Sequence, residues 1–487
     1  MAPLRSPLLG NWARPGRDLT LGGSVLNSSR ISMKKRRSDG VTRRELLKAA
    51  GLALAAGALP ISCGRRVARR KMLRIIQWSH YVPRYDRWFD DVFTKEWGAK
   101  NGFEVVVDHM AATEVAARGA AEAAAGKGHD LFHFLSPPAA YERQAIDHRD
   151  VIREVEKRHG SMIPLAHKST FNPVTGKSFA FSDSYVPDPG NYRIDLWSRV
   201  GFPNGPDTWE DLRAGGRKIK EKFGNPVGIG FSQEMDSNMA LRALLWSFGG
   251  AEQDERGWPT LASKETIEAV KFARALYRET ETPEVVTWDP SSNNRAILSG
   301  RVSFVQNAIS VTRSAEKENP GMARRIGLTP ALRGPVRRIA AEHLMSCYVV
   351  WKFSENVDAA KQFLVDLVDN FAAVFRESEF YSLPCYPSTV PDLAGQIASD
   401  PEAQPSGKYK VLGTALDWST NIGFPGYATA ATDEVFNTFV LPTMFARVAR
   451  GEATPEDAVA AAQAEITRIF DRRERIASFE RFGSRVG

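Results

Sequence analysis

Short apolar runs that alternate with longer amphipathic stretches limit most strongly what this chain can fold into. Residues 73–78 (Leu-Arg-Ile-Ile-Gln-Trp) read as a strand, 85–98 as a helix and 103–108 (Phe-Glu-Val-Val-Val-Asp) as a second strand. An Ala-rich helix over 114–125 and a third strand over 130–134 follow. This is a βαβ rhythm, which predicts a parallel sheet with helices on both faces. The rhythm restarts at 227–231, 302–305 and 325–329, which read as strands of a second sheet. Ser263 is predicted to cap a helix that turns Ile267, Val270, Ala273 and Tyr277 to one face. Thr454-Pro455-Glu456-Asp457 supplies a cap oxygen, a proline tolerated in the first turn and carboxylates at the positive end of the dipole. No Gly/Ser-rich linker separates the two sheets, which predicts two lobes that exchange segments rather than two beads on a string.

The formal charge of +8 suggests a nucleic-acid partner until it is located. Residues 1–63 carry 11 basic and 3 acidic side chains, and the other 424 carry 54 of each, so all the net charge lies in the leading segment. Arg65, Arg66, Arg69, Arg70 and Lys71 lie in the stretch before the first strand, which leaves the remainder slightly acidic. A basic footprint for nucleic acid is therefore excluded from the folded part. Within the leading segment, Thr42-Arg43-Arg44-Glu45-Leu46-Leu47-Lys48 precedes an uncharged run over 49–61, the pattern of a twin-arginine export signal. That run is too short for a permanent span, and no later apolar run reaches 18 residues. Met33 opens Met-Lys-Lys-Arg-Arg and is the expected true start. Cys63 stands where an acylated cysteine would, although Pro60 occupies the usual leucine position. Cys347 and Cys385 read either as a disulfide in an oxidising compartment or as two buried thiols.

Enzyme motifs do not emerge. Gly176-Lys177-Ser178 mimics the end of a phosphate-binding loop, but Phe171 stands where its first glycine belongs. His129 and His133 are four apart in a predicted strand with no adjacent ligand set, so packing is expected rather than metal binding. No H-E-x-x-H, G-x-S-x-G or dinucleotide fingerprint occurs. Neither a cofactor nor a metal is expected.

Several blocks taken together resemble the maltose-binding-protein-like group of extracellular solute-binding proteins (family 1). They are Asp195-Leu196 with Gly201, Pro206-Asp207-Thr208-Trp209-Glu210-Asp211-Leu212, Phe248-Gly249-Gly250-Ala251, Leu298-Ser299-Gly300-Arg301, and Gly451 through Ala458. Asp207 or Thr208 would cap a helix that packs Trp209 and Leu212 inward. The order and spacing of these blocks over residues 72–475 carry the resemblance. It implies an α/β fold of the two-lobe periplasmic-binding-protein kind, with type II-like strand order and several crossings between lobes. After a leader over 1–63 and a tether over 64–71, residues 72–183 and 339–388 are expected in one lobe. Residues 184–338 and 389–478 are expected in the other. The resemblance also implies a monomer that hands a solute to ABC transporter permease subunits and catalyses no reaction.

Open α/β sheets bind ligands beyond the carboxyl ends of their strands. Applied here, that rule selects Trp78, His80 and Tyr81 after the first strand, and Phe134 and Ser136 at the end of the third. It also selects Asp236 and Asn238 (with Gln233) after 227–231, and Asn307 (with Gln306) after 302–305. Ser184, Tyr185, Glu342 and His343 are expected at the crossings, and Tyr427 matches a region where the family often places a stacking ring. Trp78, Phe134 and Tyr427 read equally as core rings, and Asn238 and Asn307 equally as turn or capping residues. Flat rings beside neutral and acidic hydrogen-bonding groups suit a sugar, whose C–H faces stack while its hydroxyls need directional partners. A glycerol-phosphate type of solute or a polyamine, the latter through Asp236 and Glu342, is the alternative, and an exported cofactor-dependent enzyme is a more distant one.

Overall fold

The computed structural model describes residues 71–483, with side chains through residue 474. The expectations for Met33, the arginine pair, residues 49–61 and Cys63 therefore lie outside the described residues. No helix among the described residues is long and apolar enough to cross a membrane.

Two sheets organise the chain. In the first, Lys71–Trp78 is flanked by Phe103–Met110 and Leu131–Phe134, both parallel to it. Cys347–Val350 adds an antiparallel edge beside Leu131–Phe134, so the spatial order is second, first, third and then this late strand. Leu73, Ile75 and Ile76 are fully or almost fully buried in this sheet, as a parallel sheet between helical layers requires. The helix expected over 85–98 forms as Pro83–Trp88, a wider turn at Phe89–Phe93, and Thr94–Asn101. Its Phe89, Phe93 and Trp97 pack on Phe363 of the Val357–Asp369 helix.

The second sheet is antiparallel, with Gly190–Arg193 between Phe304–Gln306 and Ile326–Thr329. The expected strand at 227–231 is not one. Only Val227 bridges to Phe304, and the chain then peels away, with Phe231 N–H turning to the Val285 carbonyl. The cause is a contact from a distant part of the chain: the buried Glu281 carboxylate takes the Ile229 N–H. A Cβ at Gly228 would come within 3.1 Å of the Phe304 carbonyl oxygen. The predicted helix starts all form. Thr208 makes a reciprocal capping box with Asp211, Ser263 accepts from Thr266 N–H, and Thr454 accepts from Asp457 N–H at 3.1 Å.

The chain passes between the sheets in three segments that run side by side. Ser184–Val186 lies between Leu344–Met345 and Leu383–Pro384, antiparallel to both. Cys347 and Cys385 flank this region as buried free thiols.

Candidate functional site

The spatial order of the first sheet reverses between Lys71–Trp78 and Leu131–Phe134, so a crevice is expected beyond their carboxyl ends. The residues there are Trp78, His80 and Tyr81 on one strand end and Leu135 and Ser136 on the other. Trp78 is buried and forms an edge-to-face pair with Tyr81, with ring centroids 5.2 Å apart. Tyr381, just before the third connecting segment, lies 6.5 Å from Trp78 and 5.1 Å from His80. Tyr81 is 47% exposed and forms the open edge of this group.

His80 is held as a neutral ring. Its Nδ1 accepts from Val82 N–H at 2.9 Å, so the proton resides on Nε2, and burial lowers its pKa to about 3. Nε2–H is buried and finds no acceptor among the described residues. Beside it is a cavity of about 20 Å³, lined by Trp78, His80, Tyr85, Leu135, Ser346 and Tyr348, with room for about one water.

A second candidate group is polar. The Met235–Phe248 helix begins here, and Glu234 caps it by accepting from the N–H groups of Asp236 and Ser237. Asp236, in the first turn, receives the Asn293 amide on Oδ2 at 2.6 Å and the Asn307 amide at 3.4 Å. Asn307 also donates to Asn293 Oδ1 and to Asn294. His343 lies between two carboxylates, with Nδ1 3.1 Å from Asp188 Oδ1 and Nε2 3.7 Å from Asp236 Oδ1. Gln306 donates to Asp188 Oδ2 at 2.7 Å. Burial, with the charge of Asp188 added, pushes the Asp236 carboxyl upward, against the pull of His343. Partial burial, with the charge of Asp236 added, pushes the Tyr81 hydroxyl up to about 12.

The structure thus brings Trp78, His80 and Tyr81 into one group and Asp236, Asn307 and His343 into another. Ser136 lines a second, smaller recess with Ile422, Ala428, Thr432, Asp433 and Phe436. Ser184 donates to Asp183 within the connecting strand, and Tyr185 is buried in the same strand. Four expected residues are occupied elsewhere. Phe134 stacks on Tyr141 and covers Gly119, where a Cβ would fall 2.4 Å from its ring. Asn238 donates to the Phe436 carbonyl and accepts from Arg242. Glu342 accepts from Ile422 N–H at 3.0 Å. Tyr427 leans on His167 and Phe171 with Lys168 above its ring.

Sequence reading missed Asp188, Asn293, Gln306 as a partner of Asp188, and Tyr381. Asp188 precedes the Gly190–Arg193 strand, and the antiparallel pairing of Gly190 with Gln306 brings it to that strand's end. The rule of carboxyl ends looks only after strands, so a residue just before an antiparallel strand escapes it. His129 also has a partner set that spacing did not reveal. It bridges Glu122 at 2.6 Å and Asp108 at 2.7 Å, away from His133, which bonds Gln77 and Ser346.

The fold and cleft are those of a two-lobe solute-binding protein. The model for bacterial extracellular solute-binding proteins matches residues 92–404, and the chain belongs to that family, whose members work outside the cytoplasm. Proteins of Brucella abortus (strain 2308) and Brucella suis biovar 1 (strain 1330), both named as binding proteins, are 23% identical over 191 residues. That match takes in 39% of this chain and spans 46% of the length of those relatives. Among solved structures, a Synechococcus sp. MITs9220 protein described as an oligosaccharide periplasmic-binding protein, in complex with zinc, superimposes with a TM-score of 0.70 at 19% identity. That comparison covers 82% of this chain and 99% of the other. A sugar transporter of Arthrobacter chlorophenolicus A6 with bound laminaribiose gives 0.68 at 15% identity, with the same shares covered. Maltose-bound MalE3 of T. maritima gives 0.66 at 19%, again with those shares. The family and these neighbours are binding proteins rather than enzymes.

Proposed function

We propose that this protein is the substrate-binding component of an ABC importer, taking a sugar or oligosaccharide between its lobes and delivering it to membrane permease subunits. The observation that carries this reading is the presence of an aromatic group, Trp78, Tyr81 and Tyr381, together with a polar set, Asp236, Asn307 and His343. A sugar needs both, since rings cover its C–H faces and amides and carboxylates pair its hydroxyls. Family membership and the laminaribiose- and maltose-bound neighbours support the choice. The ligand residues in this reading are Trp78, Tyr81, Tyr381, Asp188, Asp236, Asn293, Asn307 and His343, with His80 and Ser136 at the margins. Closure is a population shift in which the solute contacts both lobes only in the closed state and so favours it.

The leading segment fits this role. The arginine pair and residues 49–61 direct export by the twin-arginine route, and Cys63 is the candidate for a lipid tether. The protein acts as a monomer and transforms nothing. Asp188 and Asp236, two carboxylates with one histidine between them, favour a polyamine as the second reading. A thermal-shift screen over mono- and oligosaccharides, polyols and polyamines tests the proposal. One carbohydrate should raise the melting temperature by several degrees and reduce the radius of gyration in solution scattering. A response to none of the carbohydrates would overturn the sugar reading.

A further inference from the structure

Donors are missing around Asp236. Its Oδ2 takes the Asn293 and Asn307 amides, but among the described residues no hydrogen bond reaches Oδ1, and His343 Nε2 at 3.7 Å is too far for one. The side chain is only 11% exposed. Asp188 already claims His343 through Nδ1, so two carboxylates share one imidazole. Gln306 gives its amide N–H to Asp188, and the other end of the same amide, Oε1, is buried with no donor. Gln306 itself is 4% exposed. One buried acceptor, Gln306 Oε1, and one partly exposed acceptor, Asp236 Oδ1, therefore stand without a donor, the second on a charged group.

No arginine or lysine among the described residues pairs with either carboxylate. Arg242, six residues further along the same helix, is committed to Glu252, and Arg313 is committed to Asp400 and Glu316. The rings of Trp78, Tyr81 and Tyr381 form a group of their own, and the charge of Asp236 acts on both tyrosine hydroxyls. A carboxylate, an open amide oxygen and aromatic rings together suit an ammonium group, which brings three donors and one positive charge. A neutral hydroxyl brings one donor and leaves the charge unmatched.

We propose that the cleft selects a solute bearing a primary amine, of the amino-sugar class, whose ammonium donates to Asp236 Oδ1 and Gln306 Oε1. This rests on the sugar reading above and adds the charge of the ligand to it. The remaining hydroxyls then fall to the His343 and Asn307 side, while the rings cover the apolar face.

Matched pairs of sugars, alike except for one amine, test this. Glucosamine, galactosamine and mannosamine are each titrated calorimetrically against glucose, galactose and mannose near pH 7, with putrescine alongside. At least one amine should bind about tenfold tighter than its hydroxyl partner, and a folded D236N variant should lose that preference. The wild-type comparison stands whether or not the variant folds. Hexoses that each bind as tightly as their amine partners overturn the inference and leave the sugar reading in place. Putrescine binding with no hexosamine binding upholds the amine and removes the sugar. No response from any amine up to about 10 mM, or a preference that survives in folded D236N, overturns the inference.

Discussion

His343 Nδ1 lies 3.1 Å from Asp188 Oδ1, although 155 residues separate the two along the chain. Each sits at a different connection between the two sheets, so the bond exists only where those connections run side by side. It ties the site to the part of the fold about which the lobes would move.

Breaking this bond has a pH signature. Burial favours neutral His343, but the Asp188 hydrogen bond and charge, reinforced by Asp236, outweigh it and raise the imidazole above its ordinary 6.5. A raised folded pKa means that the stabilisation is full below the unfolded value and is lost as pH climbs through the folded one. Asp188→Asn should therefore cost about 1–3 kcal/mol near pH 5.5, and less as the pH rises. Urea unfolding across that range measures it, and a pH-independent cost would show that His343 is not charged in the fold.

Glu342 should behave in a related way. Burial raises its carboxyl to about 8, with Ile422 N–H and Arg242 pulling only partly against it. Its folded form holds the proton more tightly than the unfolded chain, so its contribution is full below about pH 4.5 and fades as pH rises towards 8. Glu342→Gln, which keeps an acceptor for Ile422 N–H, should thus become progressively less destabilising between those pH values. A cost that grows with pH would mean that Glu342 is ionised in the fold.

Arg242 and Glu252 form a fully buried ion pair at 3.1 Å, and Glu252 also accepts from Trp246 Nε1 at 3.0 Å. Arg242→Ala leaves a carboxylate stranded in the interior and should cost about 3–5 kcal/mol. The double replacement Arg242→Met with Glu252→Leu should cost less than the single one, because neither charge is then left alone. Urea midpoints at unchanged slope compare the two.

Two neighbouring rings should separate binding from folding. Trp78→Ala removes a buried side chain and should lower stability by about 3–5 kcal/mol. Tyr81→Ala removes a ring that is half exposed and should cost the fold less than about 1 kcal/mol. It should weaken carbohydrate binding by about 1–3 kcal/mol. Thermal unfolding and calorimetric titration of both variants check the contrast; unaltered affinity in Tyr81→Ala would remove that ring from the site.

Strand and helix positions in the first sheet were legible because each run has a period of its own. The apolar residues of 73–78 and the caps at Thr208, Ser263 and Thr454 are local signals, satisfied by neighbours within a few residues. The failure at 227–231 was equally physical. The run has the apolar composition of a strand, but a buried Glu281 from a distant helix end takes the Ile229 N–H that a ladder would need. Strand ends pointed to Trp78, Tyr81 and Asn307 as candidates, whereas Asp188 and Tyr381 came into view as candidates only when the connecting segments were placed. Phe134 and Tyr427 carry the same rings as site residues would, and only their neighbours decide that Phe134 packs inward and that Tyr427 lies against His167 and Phe171.

The amino-acid sequence by itself determined the alternation of elements, the helix starts, the confinement of positive charge to the leading segment, and the resemblance to extracellular binding proteins. The first two rest on signals short in chain distance, and the last two on counts and block order that can be read along the chain without its folding. Only the tertiary structure decided which polar groups share a wall. Asp188, Asp236, Gln306 and His343 come from four distant segments, and their charges and open acceptors acquire meaning only when burial removes the water that would otherwise satisfy each alone.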